Sequence, residues 1–165
     1  MEQNRVIKMG TTKHIALIAH DNRKQDMVEW AEYNRENLAK HELFGTGTTG
    51  SLLEEKVGLK VNKFRSGPLG GDQQVGSHIA DGLIDAMIFF WDPLSPHPHD
   101  VDVKALLRIA VVYNIPIACN RASADFIISS QLMNSSYDRR VINYEGRIEY
   151  YPGKDPEKAP ESAKG

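Results

Sequence analysis

IALIA at residues 15–19 is a continuous apolar run that ends directly in the polar pair His20-Asp21. A run this short and apolar on both faces is typical of a buried strand in a parallel sheet, because helices cover both sides of such a sheet. Four more short runs follow along the chain. Each is predicted to be a strand of the same sheet: residues 43–45, 61–64, 86–91 and 116–119.

Longer stretches between these runs carry apolar residues at helical spacing. In residues 23–40, for example, Met27, Trp30 and Leu38 fall on one face of a helix. Asp102 and Ser123 are predicted to begin two of the helices, since their side-chain oxygens can accept backbone N–H groups. The predicted helices are residues 23–40, 49–57, 73–82, 103–113 and 122–130.

The alternation of strands and helices predicts an α/β fold. We expect a single compact three-layer domain, with a five-stranded, mainly parallel sheet and helices on both faces. This domain is predicted to span residues 1–150. Residues 151–165 are rich in Pro, Lys and Glu and have no large apolar residue after Tyr151, so they are predicted to be a C-terminal tail.

The composition favours a protein that binds a small ligand. Lys and Arg total 20 against 22 Asp and Glu, so the net charge is −2, and no long basic run is available to bind nucleic acid or an acidic membrane surface. The single cysteine, Cys119, excludes an internal disulfide and is expected to be buried and structural. The N-terminal residues lack a signal-peptide core, and the longest apolar run, residues 86–91, is too short to cross a bilayer. We therefore expect a cytoplasmic protein with no membrane contact.

Polar and glycine-rich clusters follow all five predicted strands. Ligands of an open parallel sheet bind beyond the carboxyl ends of its strands, so these clusters are expected to meet at one edge. The clusters are His20-Asp21 with Lys24, residues 46–50 (TGTTG), residues 66–72 (SGPLGGD), Asp92 with His97, His99 and Asp102, and Asn120.

Residues 46–50 are interpreted as a phosphate-binding turn. The two glycines let the backbone approach an anion, while N–H groups and three threonine hydroxyls donate to it. A tight strand-to-helix turn capped by threonine is the alternative. The P-loop is excluded, because no Lys follows the second glycine. Donors on two neighbouring loops favour the phosphate interpretation. The candidate phosphate-binding residues are Thr46, Gly47, Thr48, Thr49, Ser66, Gly67 and Lys24.

Four acids are expected at the same edge. Asp72 follows two glycines and precedes a predicted helix, a position that fits either a catalytic carboxylate or an ordinary helix N-cap. Asp21, Asp92 and Asp102 would repel a phosphate if nothing offset their charge. Either a magnesium site or a proton-transfer site whose carboxylates are held by neighbouring donors would resolve this conflict.

His99 lies in a segment with three prolines, which restrict the backbone. It is interpreted either as an imidazole held over the site or as a surface loop residue. A zinc site is disfavoured, because His97 and His99 are separated by one residue and no cysteine is near them.

Five segments, in this order, resemble the signature segments of the methylglyoxal synthase family. They are residues 14–21 (HIALIAHD), 46–50 (TGTTG), 66–74 (SGPLGGDQQ), 89–94 (FFWDPL) and 97–108 (HPHDVDVKALLR). The resemblance extends from about Lys13 to Ile128 and is far more specific than a single glycine-rich turn.

The resemblance implies a lyase that converts dihydroxyacetone phosphate to methylglyoxal and inorganic phosphate, with no metal ion and no organic cofactor. It also implies a homohexamer, with inorganic phosphate as product and candidate effector. Asp72 matches the family's catalytic proton acceptor and donor, and His99 is expected to hydrogen-bond the substrate carbonyl. Substrate-binding positions are matched by His20, Lys24, Thr46, Gly47, Thr48, Thr49, Ser66, Gly67 and His99, and acidic pocket positions by Asp21, Asp92 and Asp102.

Two other functions fit the same residues. A magnesium-dependent phosphatase or phosphoryl-transfer domain would use Asp21 as nucleophile or ligand, with Asp92 and Lys24 nearby. A non-catalytic ligand-sensing module is the second, because regulatory domains of carbamoyl phosphate synthetase resemble this fold. The presence of both Asp72 and His99 argues against the sensing module.

Overall fold

The computed structural model describes residues 4–95 and 100–144, apart from the side chains of Asp100 and Val101. His97, His99 and the predicted tail at residues 151–165 lie outside the described residues. Within the described ranges the strands are β1 (Arg5–Met9), β2 (His14–Ala19), β3 (Glu42–Gly45), β4 (Val61–Lys63), β5 (Ala86–Phe90), β6 (Ile117–Ala118) and β7 (Tyr137–Val141). The helices are α1 (Lys24–Tyr33), α2 (Arg35–Leu38), α3 (Gly47–Val57), α4 (Gly71–Ala80), α5 (Asp100–Val112) and α6 (Arg121–Ile128).

Five strands form one parallel sheet in the order β4-β3-β2-β5-β6. The central strand is β2, in which Ile15 pairs with Leu43 of β3 on one side and with Ala86 of β5 on the other. The pairings of β3 with β4 and of β5 with β6 are also parallel. The predicted α/β fold is confirmed, and all five predicted strands are present with nearly the predicted bounds.

Side chains of β2 alternate between two apolar cores, one on each face of the sheet. Ile15 and Leu17 pack in the core formed with α1, α3 and α6. Ala16 and Ile18 pack in the core formed with α4 and α5. Burial on both faces explains why residues 15–19 are apolar without interruption, and it produces the predicted three layers.

The helices depart from prediction at several of their ends: α3 begins two residues earlier than predicted, and α4 is shifted by two residues to Gly71–Ala80. The single helix predicted at 23–40 is divided at Asn34, whose backbone N–H and side-chain Nδ2 both donate to the carbonyl of Trp30. Helix α5 begins at Asp100, so the prediction that Asp102 starts it is wrong. The N-cap of α6 is Asn120, which accepts from the N–H of Ser123, so Ser123 does not start that helix.

Within the described part of the chain, no helix has the length and apolar character needed to cross a bilayer.

A second, two-stranded sheet was not predicted. Strands β1 and β7 pair antiparallel, with Arg5 opposite Val141 and Met9 opposite Tyr137. The fully buried Arg139 of β7 donates from Nη1 to the carbonyl of Tyr113 at 2.7 Å and so joins this two-stranded ribbon to the domain. The ribbon lies beside the amino ends of the parallel strands, away from the edge where the polar clusters meet.

Candidate active site

A cavity of about 220 Å³ lies at the carboxyl edge of the parallel sheet. The strand order reverses at β2, since β3 and β4 lie on one side of it and β5 and β6 on the other. Such a switch point opens a crevice between the loops on its two sides, where ligands of open α/β sheets bind. Eight of the predicted site residues line this cavity: His20, Asp21, Lys24, Thr46, Thr48, Ser66, Gly67 and Asp72.

Lys24 connects the loop after β2 with the loop after β3. Its Nζ donates to Oδ1 of Asp21 at 2.5 Å and to Oγ1 of Thr48 at 2.8 Å. The Lys24 side chain is only 20% exposed, whereas that of Asp21 is 90% exposed. Asp21 therefore faces solvent while the ammonium group lies in the cavity, which offsets the repulsion expected between this acid and a bound anion.

The TGTTG turn forms the N-terminus of α3. Thr46 is the extended residue before the helix, and its carbonyl accepts the N–H of Gly50 at 2.8 Å. The N–H of Gly47 donates to the carbonyl of Arg65 at 3.2 Å, so Gly47 contributes no amide of its own to the cavity in this structure. The N–H groups of Thr48 and Thr49 belong to the first helical turn, where amides have no intrahelical partner and favour anions.

The three threonine hydroxyls are not equivalent. Thr46 and Thr49 are buried, and Oγ1 of Thr49 donates to the carbonyl of Ala19 at 3.4 Å. Thr48 is exposed and carries the contact with Lys24. Thr49 therefore fixes the turn against β2, while Thr46 and Thr48 line the cavity and Thr48 presents its hydroxyl there.

Two glycines permit the close approach of the loops that follow β3 and β4. A Cβ at Gly47 would lie 3.0 Å from the carbonyl oxygen of Phe64. A Cβ at Gly71 would lie 2.1 Å from the carbonyl oxygen of Arg65, a distance that no side chain tolerates. Gly71 also donates its N–H to the carbonyl of Ser66 at 2.9 Å. The glycines thus place the start of α4 directly beside the TGTTG turn at the start of α3.

Asp72 is a buried carboxylate in the first turn of α4, with 3% of its surface exposed. The N-cap of this helix is Gly70, so Asp72 does not occupy the N-cap position that the sequence left open. A carboxylate in a first helical turn is stabilised by the helix dipole. The carboxyl group of Asp72 is therefore held out of bulk solvent at the wall of the cavity.

The other two acids lie apart from this cavity. Asp92, in the loop after β5, accepts hydrogen bonds from Nδ2 of Asn22 at 2.9 Å and from the N–H of Leu94 at 3.2 Å. The bond from Asn22, followed by one from Ser95, lowers the pKa of Asp92 to about 2. Asp102 lines a neighbouring groove between α4 and α5 that also includes Asp72.

His20 is held by two backbone groups, one that bonds its main chain and one that bonds its ring. Its own N–H donates to the carbonyl of Phe90 at 3.1 Å, and its Nδ1 accepts from the N–H of Asp92 at 3.2 Å. The ring lies edge-on to Phe89, with ring centroids 5.2 Å apart. His20 is 6% exposed, so it forms part of the buried wall of the site.

The described residues contain no group of three or more His, Cys, Asp or Glu side chains placed to hold a metal ion. Cys119 lies after β6 and is half-buried rather than fully buried as predicted. This partial burial raises the pKa of its thiol, which disfavours the reactive thiolate.

Sequence reasoning missed several residues of the site. Ile18, Ala19 and Pro68 give the cavity an apolar part. They carried no signal beyond their place at the end of β2 and in the SGPLGGD segment. Asn22 was missed because its importance depends on a contact with a loop far away in the sequence.

Comparison with known proteins places this arrangement in a class. The family model described as an MGS-like domain matches residues 26–119, so the fold is that of an MGS-like α/β domain. A protein named methylglyoxal synthase from Leptospira interrogans is 55% identical over 142 residues, which cover 86% of this chain and 96% of that protein.

Two further relatives carry the same name. Methylglyoxal synthase from Saccharophagus degradans is 56% identical over 146 residues, covering 88% of this chain and 95% of that protein. The crystal structure of methylglyoxal synthase from Elizabethkingia anophelis is similar with a TM-score of 0.84 and 47% identity, covering 92% of this chain and 99% of that chain. The chain belongs to the methylglyoxal synthase family, and it is an enzyme.

Proposed function

We propose that the chain is a phosphate-eliminating lyase that converts dihydroxyacetone phosphate to methylglyoxal and inorganic phosphate through an enediol or enediolate phosphate. One observation carries the proposal: a buried carboxylate, Asp72, and the N-terminus of α3 with Lys24 line one cavity of about 220 Å³. A base and an anion-binding group within one small cavity are what this reaction requires.

The phosphate group of the substrate binds at the N-terminus of α3. The N–H groups of Thr48 and Thr49 and the hydroxyl of Thr48 donate to its oxygens, and Ser66 and Gly67 add donors from the loop after β4. Lys24 supplies the positive charge, because its ammonium already lies 2.8 Å from the Thr48 hydroxyl. These groups bind the substrate and later stabilise the departing phosphate.

Asp72 acts as the general base. Its carboxylate removes a proton from the hydroxymethyl carbon of dihydroxyacetone phosphate, and His99 donates a hydrogen bond to the carbonyl oxygen on which negative charge develops. The resulting enediolate expels inorganic phosphate by cleavage of the C–O bond, with loss of the hydroxyl proton from the terminal carbon. The enolate that remains takes up a proton at its methylene carbon and becomes methylglyoxal.

Elimination depends on how the phosphate is held. Triosephosphate isomerase makes the same intermediate and keeps its phosphate, so the bond from carbon to the phosphate oxygen must here stand nearly perpendicular to the enediolate plane. A phosphate bound at the N-terminus of α3, with the reacting carbon beside Asp72 on α4, is held by a different element from the base. Because the phosphate and the base are held by different helices, the relative position of the two helices sets the torsion angle about the C–O bond that breaks.

The reaction needs no metal ion and no organic cofactor in this proposal. Asp21 is paired with Lys24, and Asp92 is hydrogen-bonded by Asn22, so neither acid requires a cation to offset its charge. A magnesium-dependent phosphatase would instead need a metal ion bound by these acids. As the family resemblance implies, we propose a homohexamer with inorganic phosphate as product and candidate effector. A cytoplasmic location is proposed from the composition of the chain.

The decisive experiment incubates purified protein with dihydroxyacetone phosphate and measures methylglyoxal and inorganic phosphate separately. Equimolar release of the two products, unchanged by EDTA, is expected. Phosphate release without methylglyoxal, or activity that is lost with EDTA and restored by magnesium, would replace the lyase with a phosphatase. Light scattering at the assay concentration tests the hexamer, which an active monomer would contradict.

A further inference from the structure

Asn22, a residue outside the predicted set, joins the two loops that flank the switch point of the sheet. It lies in the short 3-10 turn Asp21–Arg23 that follows β2. Its Nδ2 donates to Oδ2 of Asp92 at 2.9 Å and to Oγ of Ser95 at 3.1 Å, both in the loop after β5. The side chain therefore bridges β2 and β5 at the point where ligands of this fold bind.

The bridge holds Asp92 as an ionised acceptor. Hydrogen bonds from Asn22 and then from Ser95 are the main causes that lower the pKa of Asp92 to about 2. The N–H of Leu94 also donates to Oδ1 of Asp92 at 3.2 Å. Hydrogen bonds to an ionised carboxylate are stronger than those to a neutral acceptor, so the position of Asp92 is firmly set.

Asp92 in turn orients His20 through the backbone. The N–H of Asp92 donates to Nδ1 of His20 at 3.2 Å. In a neutral imidazole, the nitrogen that accepts a hydrogen bond carries no proton, so the proton lies on Nε2. The ring is 6% exposed and lies edge-on to Phe89, which leaves it little room to turn over.

We propose that Asn22 is a positioning residue that fixes the tautomer of His20: it holds Asp92 so that the Asp92 N–H engages Nδ1, and His20 serves the site as an Nε2–H donor. The inference rests on the proposed lyase reaction, in which a fixed donor helps to stabilise charge that develops on oxygen. Nδ1 is occupied by Asp92, so His20 does not act as the base through this nitrogen, and proton abstraction falls to Asp72.

Two variants of Asn22 test the proposal. Asn22→Leu keeps the approximate size of the side chain and removes both donor hydrogens, whereas Asn22→His retains a ring N–H donor of similar reach. Asn37→Leu on α2 is the matched control, because it makes the same chemical change at a distance from the cavity. Two-bond ¹H–¹⁵N correlation spectra report which ring nitrogen of His20 carries the proton, and steady-state kinetics report kcat and KM separately.

Wild type is expected to show His20 as a single Nε2–H tautomer. Asn22→Leu should show a mixture of His20 ring states, with kcat lowered about 10- to 100-fold through misplacement and KM affected much less. Asn22→His should restore both the spectrum and kcat, and Asn37→Leu should change neither. A wild-type ring protonated on Nδ1, or an Asn22→Leu protein with an unchanged His20 spectrum or an unchanged kcat, overturns the proposal.

A variant that does not fold and a wild type that does not catalyse the proposed reaction can each be told apart from an error in the role of Asn22. If Asn22→Leu does not fold, Asn22→Asp takes its place, because it keeps the shape, removes the donors and sets a second carboxylate against Asp92. If wild type does not convert dihydroxyacetone phosphate, the proposed function is wrong. The spectra of wild type and variant then still decide whether Asn22 sets the tautomer.

Discussion

The ammonium nitrogen of Lys24 lies 2.8 Å from the hydroxyl oxygen of Thr48, so α1 delivers its charge to the N-terminus of α3. The same ammonium is paired with Asp21, which is almost fully exposed. The proposed anion-binding site is therefore assembled from two helices, and Lys24 supplies its positive charge without a bound cation.

Removal of either partner in this contact should weaken substrate binding more than it slows chemistry. Lys24→Met removes a charged donor to phosphate, worth about 1.5–3 kcal/mol, so KM should rise about 10- to 100-fold. Thr48→Val removes one neutral donor, worth about 0.5–1.5 kcal/mol, so KM should rise about 2- to 12-fold. The double variant should lose less than the sum, because each single change already breaks the shared contact.

Arg23→Met is the control for the lysine variant, since Arg23 is exposed and paired with Asp26. It should leave KM near the wild-type value. Steady-state kinetics on all four proteins make the comparison. A Lys24→Met protein with normal KM would remove Lys24 from the binding role.

Asp72→Asn should abolish turnover without abolishing binding. The carboxamide has nearly the shape of the carboxylate but cannot take a proton, and loss of a positioned general base typically costs about 100- to 10,000-fold in rate. Asp81→Asn at the other end of α4 is the matched control, because Asp81 is exposed and far from the cavity. Turnover and the affinity for a substrate analogue should be measured on both, with circular dichroism to confirm folding. Near-normal turnover in Asp72→Asn would assign Asp72 a purely structural role.

Gly71→Ala should destabilise the protein although alanine favours helices. Its Cβ would lie 2.1 Å from the carbonyl oxygen of Arg65, which is backbone and cannot rotate away. The strain should cost at least about 1–3 kcal/mol, as for other overpacked sites. Gly10→Ala is the control, since the nearest atom to its Cβ lies 3.9 Å away. Urea unfolding of the two variants measures the difference, and equal stabilities would contradict the close approach of the two loops.

The hydrogen bonds to Asp92 should make part of the stability depend on pH. The native pKa of about 2 lies below the ordinary value of 3.8, so between these values the native state binds fewer protons than the unfolded state. The contribution of Asp92 is therefore complete above pH 3.8 and is lost as the pH falls toward 2. The unfolding free energies of wild type and Asp92→Asn should differ by a constant amount at higher pH and converge in acid. A difference that does not change with pH would show that the bonds to Asp92 do not depend on its charge.

The parallel sheet could be predicted because strands buried on both faces are apolar at nearly every position, which is visible in the sequence. The run at residues 15–19 is apolar throughout, and β5 is buried at every position. The site could be located for a related reason, since polar residues that directly follow buried strands must gather at one edge. Strand β1 left no such mark, because most of its residues are exposed and its partner β7 lies at the far end of the domain.

Contacts between loops were beyond sequence reasoning. The sequence predicted Gly47 as an anion-binding residue, but it does not reveal that the Gly47 amide is engaged by the carbonyl of Arg65. In the same way, nothing local to Asn22 indicates that its side chain reaches Asp92. Such contacts depend on the paths of two loops that are brought together only when their strands pair, β3 with β4 in the first case and β2 with β5 in the second.

The antiparallel ribbon has a consequence for the order of folding. It joins Arg5 to Val141, whereas the parallel pairs of β2 connect segments much closer in sequence. Closing a long loop costs more chain entropy than closing a short one, and contacts of high sequence separation slow folding. During synthesis β1 emerges early but waits for β7, and the parallel sheet can assemble in the meantime. We therefore expect the ribbon to close after the carboxyl edge of the parallel sheet has formed, so that Lys13 donates to the carbonyl of Ser135, just before β7, only at that last step.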